Sequence, residues 1–134
     1  MGEAGDQRNW QWNIPEFFNI GEACTCHGRN QAYANRIAMT VDHGNGHVDQ
    51  LSYQQLEDRS RRLAGALSRL GFGGQQRLMI RLPNSVEYPV AFMATLLIGA
   101  IAVPASTLLT AEEVTYLGRD ADISVLLVSH RDVP

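Results

Sequence analysis

The sequence contains no lysine: all 11 basic residues among its 134 are arginine, against 14 acidic residues. This absence excludes, within the chain, a phosphate-binding loop that ends in Gly-Lys-Ser/Thr, a Schiff-base lysine and a lysine general acid. The formal net charge of −3 and the scattered arginines form no basic patch of the kind that binds nucleic acid. We therefore expect no nucleic-acid partner.

Cysteine and long hydrophobic runs are also scarce. Cys24 and Cys26 are too few for a disulfide framework, and no basic start leads into an apolar run, so the sequence predicts a cytoplasmic protein without a signal peptide. The one long uncharged stretch, residues 88–111, is interrupted by Pro89, Gly99 and Pro104. Because the interval between these prolines is too short for a membrane-spanning helix, we expect a buried helix and then a buried strand.

What is present is ordinary globular composition, with 45% hydrophobic and 19% charged residues. A chain of this length can hide roughly two-thirds of its unfolded surface, which is enough for one hydrophobic core. We expect a single α/β unit over residues 1–134, with a loose polar tail at residues 1–12.

Four helix-start signals recur along the chain. In a capping box, an Asn, Ser or Thr and a Glu or Gln three residues later each bond the other's backbone amide. The pairs are Asn19 with Glu22 for a helix to about His27, Ser52 with Gln55 for one to Leu70, Asn84 with Glu87 for one to about Ile98, and Thr110 with Glu113 for one to about Arg119. The third of these helices is apolar on most sides, which predicts burial on most sides.

Strands fill the gaps between these helices. Ile37–Val41 and Val48–Leu51 flank a Gly-rich turn and predict a β-hairpin. Arg77–Leu82, Ile101–Val103 and Ser124–Ser129 alternate with helices and predict a β-α-β-α-β unit with a parallel sheet. The last strand is continuously apolar, so we expect it to be covered on both faces, within a sheet that is the beginning of a larger one.

Several motifs that resemble metal or phosphate sites are better explained otherwise. Cys24, Cys26 and His27 have a one-residue spacer where zinc pairs need two or more. His43 and His47 lie on a turn without an adjacent glutamate, which is typical of a solvated hairpin tip. The Gly-rich segment 71–74 closes a helix instead of opening one, which favours a helix C-cap. We expect no metal-ligating residue.

The better candidate site is the carboxyl edge of the parallel sheet, where ligands of α/β sheets bind. The segment Leu82-Pro83-Asn84-Ser85 follows the first parallel strand, and the loop 105–110 follows the second. Ser106, Thr107 and Thr110 can form hydrogen bonds but cannot act alone as acids or bases, and capping is favoured for Asn84 and Thr110. The pattern assigns no catalytic residue and defines no cofactor-binding one.

Three blocks of the sequence resemble the adenylate-forming enzymes, which include acyl- and aryl-CoA synthetases, luciferases and nonribosomal-peptide adenylation domains. Residues 51–56 with 62–71 resemble the family's "Leu-Thr-Tyr-x-Glu-Leu … Gly-Val" block. Residues 77–85 resemble its "Arg-Val-x-Ile-x-Leu-Pro-Asn-Ser" strand, and residues 97–104 its "Gly-Ala-x-x-Val-Pro" block. The resemblance spans about residues 12–130, and residues 107–116 look most like benzoate-CoA ligases and nearby acyl-CoA synthetases.

The resemblance implies an incomplete piece of the large N-terminal domain of an AMP-binding carboxylate-CoA ligase. The parent would convert an aryl or medium-chain acyl carboxylate to acyl-AMP and then acyl-CoA, using ATP, Mg²⁺ and CoA. The family's Gly-rich ATP loop, ribose-binding Asp, hinge and catalytic Lys have no counterpart among these residues, so the chain alone is expected to be inactive and to bind no cofactor. Gln55 replaces the family's usual Glu, which preserves the capping box, and Gly74-Gln75-Gln76-Arg77 replaces "Gly-Asp-Arg".

Two alternatives remain open at this point. The first is a stand-alone, non-catalytic α/β interaction module whose exposed strand edge recruits another chain or a second copy of itself. The second is an unrelated small α/β domain whose sequence blocks match by chance.

Overall fold

The structure is a computed structural model that describes residues 11–130, so most of the expected tail at residues 1–12 lies outside the described part. The helices are α1 (Ile20–Thr25), α2 (Tyr53–Arg69), α3 (Glu87–Leu97) and α4 (Ala111–Asp120), and a 3₁₀ turn (Cys26–Arg29) follows α1. The strands are β1 (Ile37–Asp42), β2 (Val48–Ser52), β3 (Arg77–Arg81), β4 (Ile101–Pro104) and β5 (Ile123–Val128).

The strands form two sheets, as the sequence predicts. β1 and β2 pair antiparallel as a hairpin, with Asp42 opposite Val48. β3, β4 and β5 form a parallel sheet in the order β4-β3-β5, so the first of these three strands in the sequence is the central one in space. The β-α-β-α-β unit is therefore confirmed.

The predicted capping boxes have different outcomes. Those of α2, at Ser52 and Gln55, and of α4, at Thr110 and Glu113, are complete. Asn19 accepts a hydrogen bond from the Glu22 amide at 2.9 Å, but the Glu22 carboxylate pairs with arginines instead of returning the bond.

The prediction that Asn84 caps the third helix is wrong. α3 begins at Glu87, and its N-cap is Val86, which has helical dihedral angles (φ −66°, ψ −22°) and makes no side-chain capping bond. A capping side chain needs an extended N-cap backbone to reach the amides of the first turn, and the turn through Ser85 does not provide one. Asn84 caps no helix and is exposed at the carboxyl edge of the sheet.

The core lies where α2 and α3 pack on one face of the parallel sheet. Its buried members are Leu67, Phe72, Leu78, Ile80, Ala91 and Ala100. Glu87 is the one exposed residue of α3, which confirms that this apolar helix is covered on most sides. α1 approaches α3 closely, since a Cβ added at Gly21 would lie 2.7 Å from the backbone nitrogen of Leu97.

Within residues 11–130, β5 is covered on one face and not on both. Val125 and Leu127 pack against the core, but Leu126 on the opposite face is 45% exposed. The strand order explains this, because β3 occupies the protected centre and β4 and β5 form the edges. Among residues 11–130, no helix is long and apolar enough to cross a membrane.

Candidate functional site

The carboxyl ends of β3 and β4 enclose a groove of about 450 Å³. It is lined by Leu82, Pro83, Asn84, Tyr88, Pro104, Ala105, Ser106 and Thr107. The structure thus brings together the two segments that the sequence predicts for this edge, because parallel strands β3 and β4 end side by side. We call this the edge groove.

Arg81, at the end of β3, holds the outer wall of the edge groove in place. Its Nη2 donates to the carbonyl oxygens of Thr107 at 2.8 Å and Leu109 at 3.2 Å. The Ala105 amide also donates to the Ile80 carbonyl at 2.9 Å, which extends the sheet by one bond. Sequence reasoning missed this role for Arg81, although a charged residue at the end of an apolar strand was the available signal.

A second groove of about 320 Å³ adjoins the first and draws on the hairpin. Residues 39–42 of β1 form one side, and Asn84, Ser85, Tyr88 and Pro89 form the other. Tyr88 and Asn84 line both grooves, so they stand between them. The sequence did not indicate Tyr88, because nothing local places the first turn of α3 opposite β1.

The chemistry available in the two grooves is hydrogen bonding. Their linings offer hydroxyl, amide and backbone groups, and Asp42 is the one carboxylate among the lining residues. The Oδ1 of Asp42 accepts from the Gly44 amide at 2.8 Å. The grooves can position a ligand, but this set of side chains contains no paired carboxylates and no nucleophile with an adjacent base.

Thr110, the last residue of the predicted loop, serves α4. Its hydroxyl accepts from the Glu113 amide at 3.3 Å, and the Thr110 amide donates to Glu113 Oε2 at 2.8 Å. The bond from the Thr110 backbone holds the pKa of Glu113 below its ordinary value. Capping, which the sequence favours for this residue, is therefore its role here.

A ring of charges ties α1 to α2, away from the grooves. Glu57 is buried, and its Oε1 accepts from Nε of both Arg29 and Arg61 at 2.8 Å. Glu22 pairs with the same two arginines. The hydrogen bond from Arg29 lowers the pKa of Glu22, and the bond to Glu57 raises that of Arg61. Since every charge has an opposite partner, we interpret the ring as structural.

The segment with Cys24, Cys26 and His27 does not converge on a metal site. Cys24 is exposed, while the Cys26 thiol donates to the Ala23 carbonyl at 3.3 Å. The imidazole of His27 packs edge-on against the rings of Tyr33 and Tyr53, at 5.7 Å each. Cys26 and His27 therefore make local hydrogen-bonding and packing contacts within this part of the chain.

The Gly-rich segment after α2 and the two histidines of the hairpin tip lie where the sequence predicts. Gly71 follows α2 with φ +79° and its amide donates to the Ser68 carbonyl, as a helix C-cap does. His43 and His47 are exposed at the hairpin tip. What sequence reasoning missed there is Asp49, whose carboxylate lies within 3.2 Å of Nε2 of each histidine.

Comparisons with known proteins give a consistent result. Residues 26–134 match the family described as AMP-binding enzyme. An acetyl-coenzyme A synthetase of Methylobacillus flagellatus is 43% identical over 68 residues, which are 51% of this chain and 10% of that protein. The chain thus spans a small part of the length of this curated relative.

Solved structures agree. A benzoate CoA ligase from Burkholderia xenovorans is similar with a TM-score of 0.74 and 29% identity, over 86% of this chain and 22% of that one. The N-terminal domain of FACL13 from Mycobacterium tuberculosis is similar with a TM-score of 0.75 and 27% identity, over 88% of this chain and 28% of that one. The α/β arrangement described above therefore corresponds to a small part of each of these chains, the second of which is itself an N-terminal domain.

Proposed function

The chain belongs to the AMP-binding enzyme family, and from this membership we propose that it is the N-terminal segment of a cytoplasmic, ATP-dependent carboxylate-CoA ligase. The observation that carries the proposal is the family match over residues 26–134, and the fold shared with a benzoate CoA ligase supports it. The parent would activate an aryl or medium-chain acyl carboxylate as acyl-AMP and transfer the acyl group to CoA.

Within that parent, this segment forms part of the sheet and the edge groove and does not bind the nucleotide. The groove residues do not fit a nucleoside triphosphate with its Mg²⁺, because Asp42, their one carboxylate, accepts from a backbone amide. The neighbouring Arg81 donates through Nη2 to two loop carbonyls. The sequence has no lysine to neutralise phosphate charge. These side chains therefore take no part in the ATP chemistry of the proposed parent.

A chimaera tests the proposal directly. The matching segment of the Burkholderia xenovorans benzoate CoA ligase is replaced by this chain, and benzoyl-CoA formation is measured. We expect a folded, active enzyme, because the two segments share fold and 29% identity. The matched control carries Ile80→Asp, which puts a charge on the fully buried centre of β3 and should abolish folding and activity. A folded chimaera that is inactive would contradict the proposal.

The non-catalytic part of the proposal has its own assay. The chain is incubated with ATP, Mg²⁺ and benzoate or octanoate, and pyrophosphate release is measured beside the intact benzoate CoA ligase. We expect no carboxylate-dependent release from the chain. Release above background would overturn the assignment of a scaffold role. Reading the coding DNA past the Pro134 codon adds a further check, since a "Thr-Gly-Thr-Thr-Gly-x-Pro-Lys-Gly" segment there would favour the ligase.

One observation favours a second candidate, a stand-alone interaction module. Among residues 11–130, β4 and β5 each pair only with β3, so each presents an outer edge to which a strand could add. Such a module would associate with itself or with another chain. Sedimentation over a concentration series separates the candidates, because a compact monomer at every concentration would exclude self-association through these edges.

A further inference from the structure

Three side chains with metal-binding atoms converge at the tip of the hairpin, outside both grooves. The Nε2 atoms of His43 and His47 lie 2.9 Å from Oδ2 and 3.2 Å from Oδ1 of Asp49, respectively. One ligand atom from each residue can be chosen so that all three lie within 4.8 Å of one another. We propose that His43, His47 and Asp49 bind one divalent transition-metal ion, and that Zn²⁺ is suited to this set of two imidazoles and a carboxylate.

The strand pairing explains why these three side chains meet. The His43 amide donates to the His47 carbonyl at 3.0 Å, which sets the two histidines opposite each other across the turn. Their rings stack at 5.2 Å between centroids. Asp49 lies on β2 and follows His47, which immediately precedes that strand, by two residues; residues two apart in extended backbone point to the same face.

The turn itself is fixed by its own hydrogen bonds. Oδ1 of Asp42 accepts from the Gly44 amide at 2.8 Å, and Oδ1 of Asn45 accepts from the His47 amide at 3.0 Å. Gly44 and Gly46 have φ values of +72° and +83°, a left-handed region that favours glycine. The ligands are therefore presented by a defined turn, which reduces the ordering that metal binding would require.

The spacing fits a tetrahedral ion. With zinc–ligand distances of about 2.0–2.1 Å, ligand atoms in a tetrahedron lie about 3.3 Å apart. The Nε2 atoms of His43 and His47 lie 2.9 and 3.2 Å from different oxygens of the Asp49 carboxylate, so one imidazole has to turn toward the oxygen that the other already approaches. The widest separation, at most 4.8 Å, has to shrink by no more than about 1.5 Å, which rotation of exposed imidazoles can supply. A water molecule would complete the coordination.

The sequence alone did not indicate this site. His43 and His47 lack the helix and adjacent glutamate of a zinc protease, so a solvated tip was the expectation. The third ligand becomes visible only when β1 and β2 pair. A metal-free hydrogen-bonded cluster at the tip is the competing explanation, and it predicts no stoichiometric ion binding.

Zinc titration of the full, tag-free chain distinguishes the two explanations. Calorimetry should give one Zn²⁺ per chain, and the double variant His43→Ala/His47→Ala should lose that site. Asp49→Asn keeps the size of the side chain but removes its charge, and should weaken affinity by about tenfold or more. No saturable binding, or unchanged binding in the double variant, would overturn the proposal.

Two control variants test other candidate zinc ligands, the two cysteines and His130. Cys24→Ser/Cys26→Ser removes the free thiols, and His130→Gln removes an exposed histidine outside the hairpin. Both should bind Zn²⁺ as the unmodified chain does. Amide chemical shifts provide the structural readout: changes confined to residues 42–49 support the hairpin site, whereas changes centred on Cys24 and Cys26 overturn it.

Discussion

The helices α2 and α4 begin alike but differ in how much of each helix is buried. Each starts at a complete capping box and has an apolar face. α2 nevertheless buries Glu57, Ser60, Ala64 and Leu67, whereas α4 buries none of its residues. The local sequence therefore determines where each helix starts, and the elements around it determine whether the helix is covered.

The same contrast extends to the parallel sheet. β3 carries the buried residues Leu78, Met79 and Ile80, while its neighbour β5 leaves Leu126 45% exposed. Leu108, in the loop before α4, and Tyr116, within α4, are 90% and 67% exposed. We call the part around α2, α3 and β3 the covered region, and the part around α4 and β5 the open region. Apolar exposure in the open region is what the expected larger sheet predicts, because further elements of that sheet would cover it.

The largest expected effect comes from truncating one apolar side chain in each of the two regions. Ile80→Ala removes a fully buried side chain from β3 and should lower the free energy of unfolding by about 3 kcal/mol or more. Leu126→Ala removes a side chain that is 45% exposed, and should lower it by less than about 1.5 kcal/mol. Urea unfolding of both variants gives the two values. Equal losses would show that the open region is covered in solution, for example by self-association.

The charge ring gives the next largest effect. Glu57→Gln leaves two arginines without the charge-assisted bonds that they make at 2.8 Å, so we expect a loss of about 2 kcal/mol. Half-exposed guanidinium groups can regain water, which keeps the loss below that of a fully buried pair. Asp58→Asn, at the adjacent exposed position, is the matched control. If both variants unfold at the same urea concentration, the ring does not stabilise the covered region.

Sequence reasoning reached the order of elements because the relevant signals are local. Apolar periodicity, capping pairs and Gly71 depend on neighbours within a few residues, and they gave the correct sheet type and three of the four helix starts. Asn84 shows the limit of such local signals. An Asn followed three residues later by Glu caps a helix only when the Asn is the N-cap residue and has an extended backbone, and here the N-cap is Val86.

The site was predictable in outline for a related reason. The rule that ligands lie at the carboxyl ends of parallel strands needs only the strand order, so residues 82–84 and 105–107 line the edge groove together as expected. Tyr88, Arg81 and Asp49 were missed, because their partners lie in elements distant along the chain or across a turn. Which face of β5 is covered was likewise not encoded in its uniformly apolar residues.

Removing one helix-capping side chain in the covered region and one in the open region should each lower the free energy of unfolding by about 1 kcal/mol. Ser52→Ala removes the cap of the covered helix α2, and Thr110→Ala that of the exposed helix α4. Hydrogen exchange should show Ser52→Ala reducing protection across the core, since α2 is part of it. Thr110→Ala should speed exchange mainly within α4.

Thr115→Ala serves as the control for Thr110→Ala, since its hydroxyl donates to the Ala111 carbonyl within the same helix but caps nothing. If Thr110→Ala destabilised the whole chain as much as Ser52→Ala, the two regions would unfold as one unit. The contrast would then apply to exposure alone and not to stability.

The smallest expected effect is the pH dependence of the covered region. The hydrogen bond from Arg29 holds the pKa of Glu22 below its ordinary value, so the carboxylate contributes stability above the unfolded pKa of about 4.3. That contribution is lost as the pH falls through the lower, folded pKa. Urea unfolding at a series of pH values should therefore show Glu22→Gln less stable than the unmodified chain at neutral pH, with the difference vanishing in acid. A difference that persists below both pKa values would mean that the shape of the Glu22 side chain, and not its charge, stabilises the contact between α1 and α2.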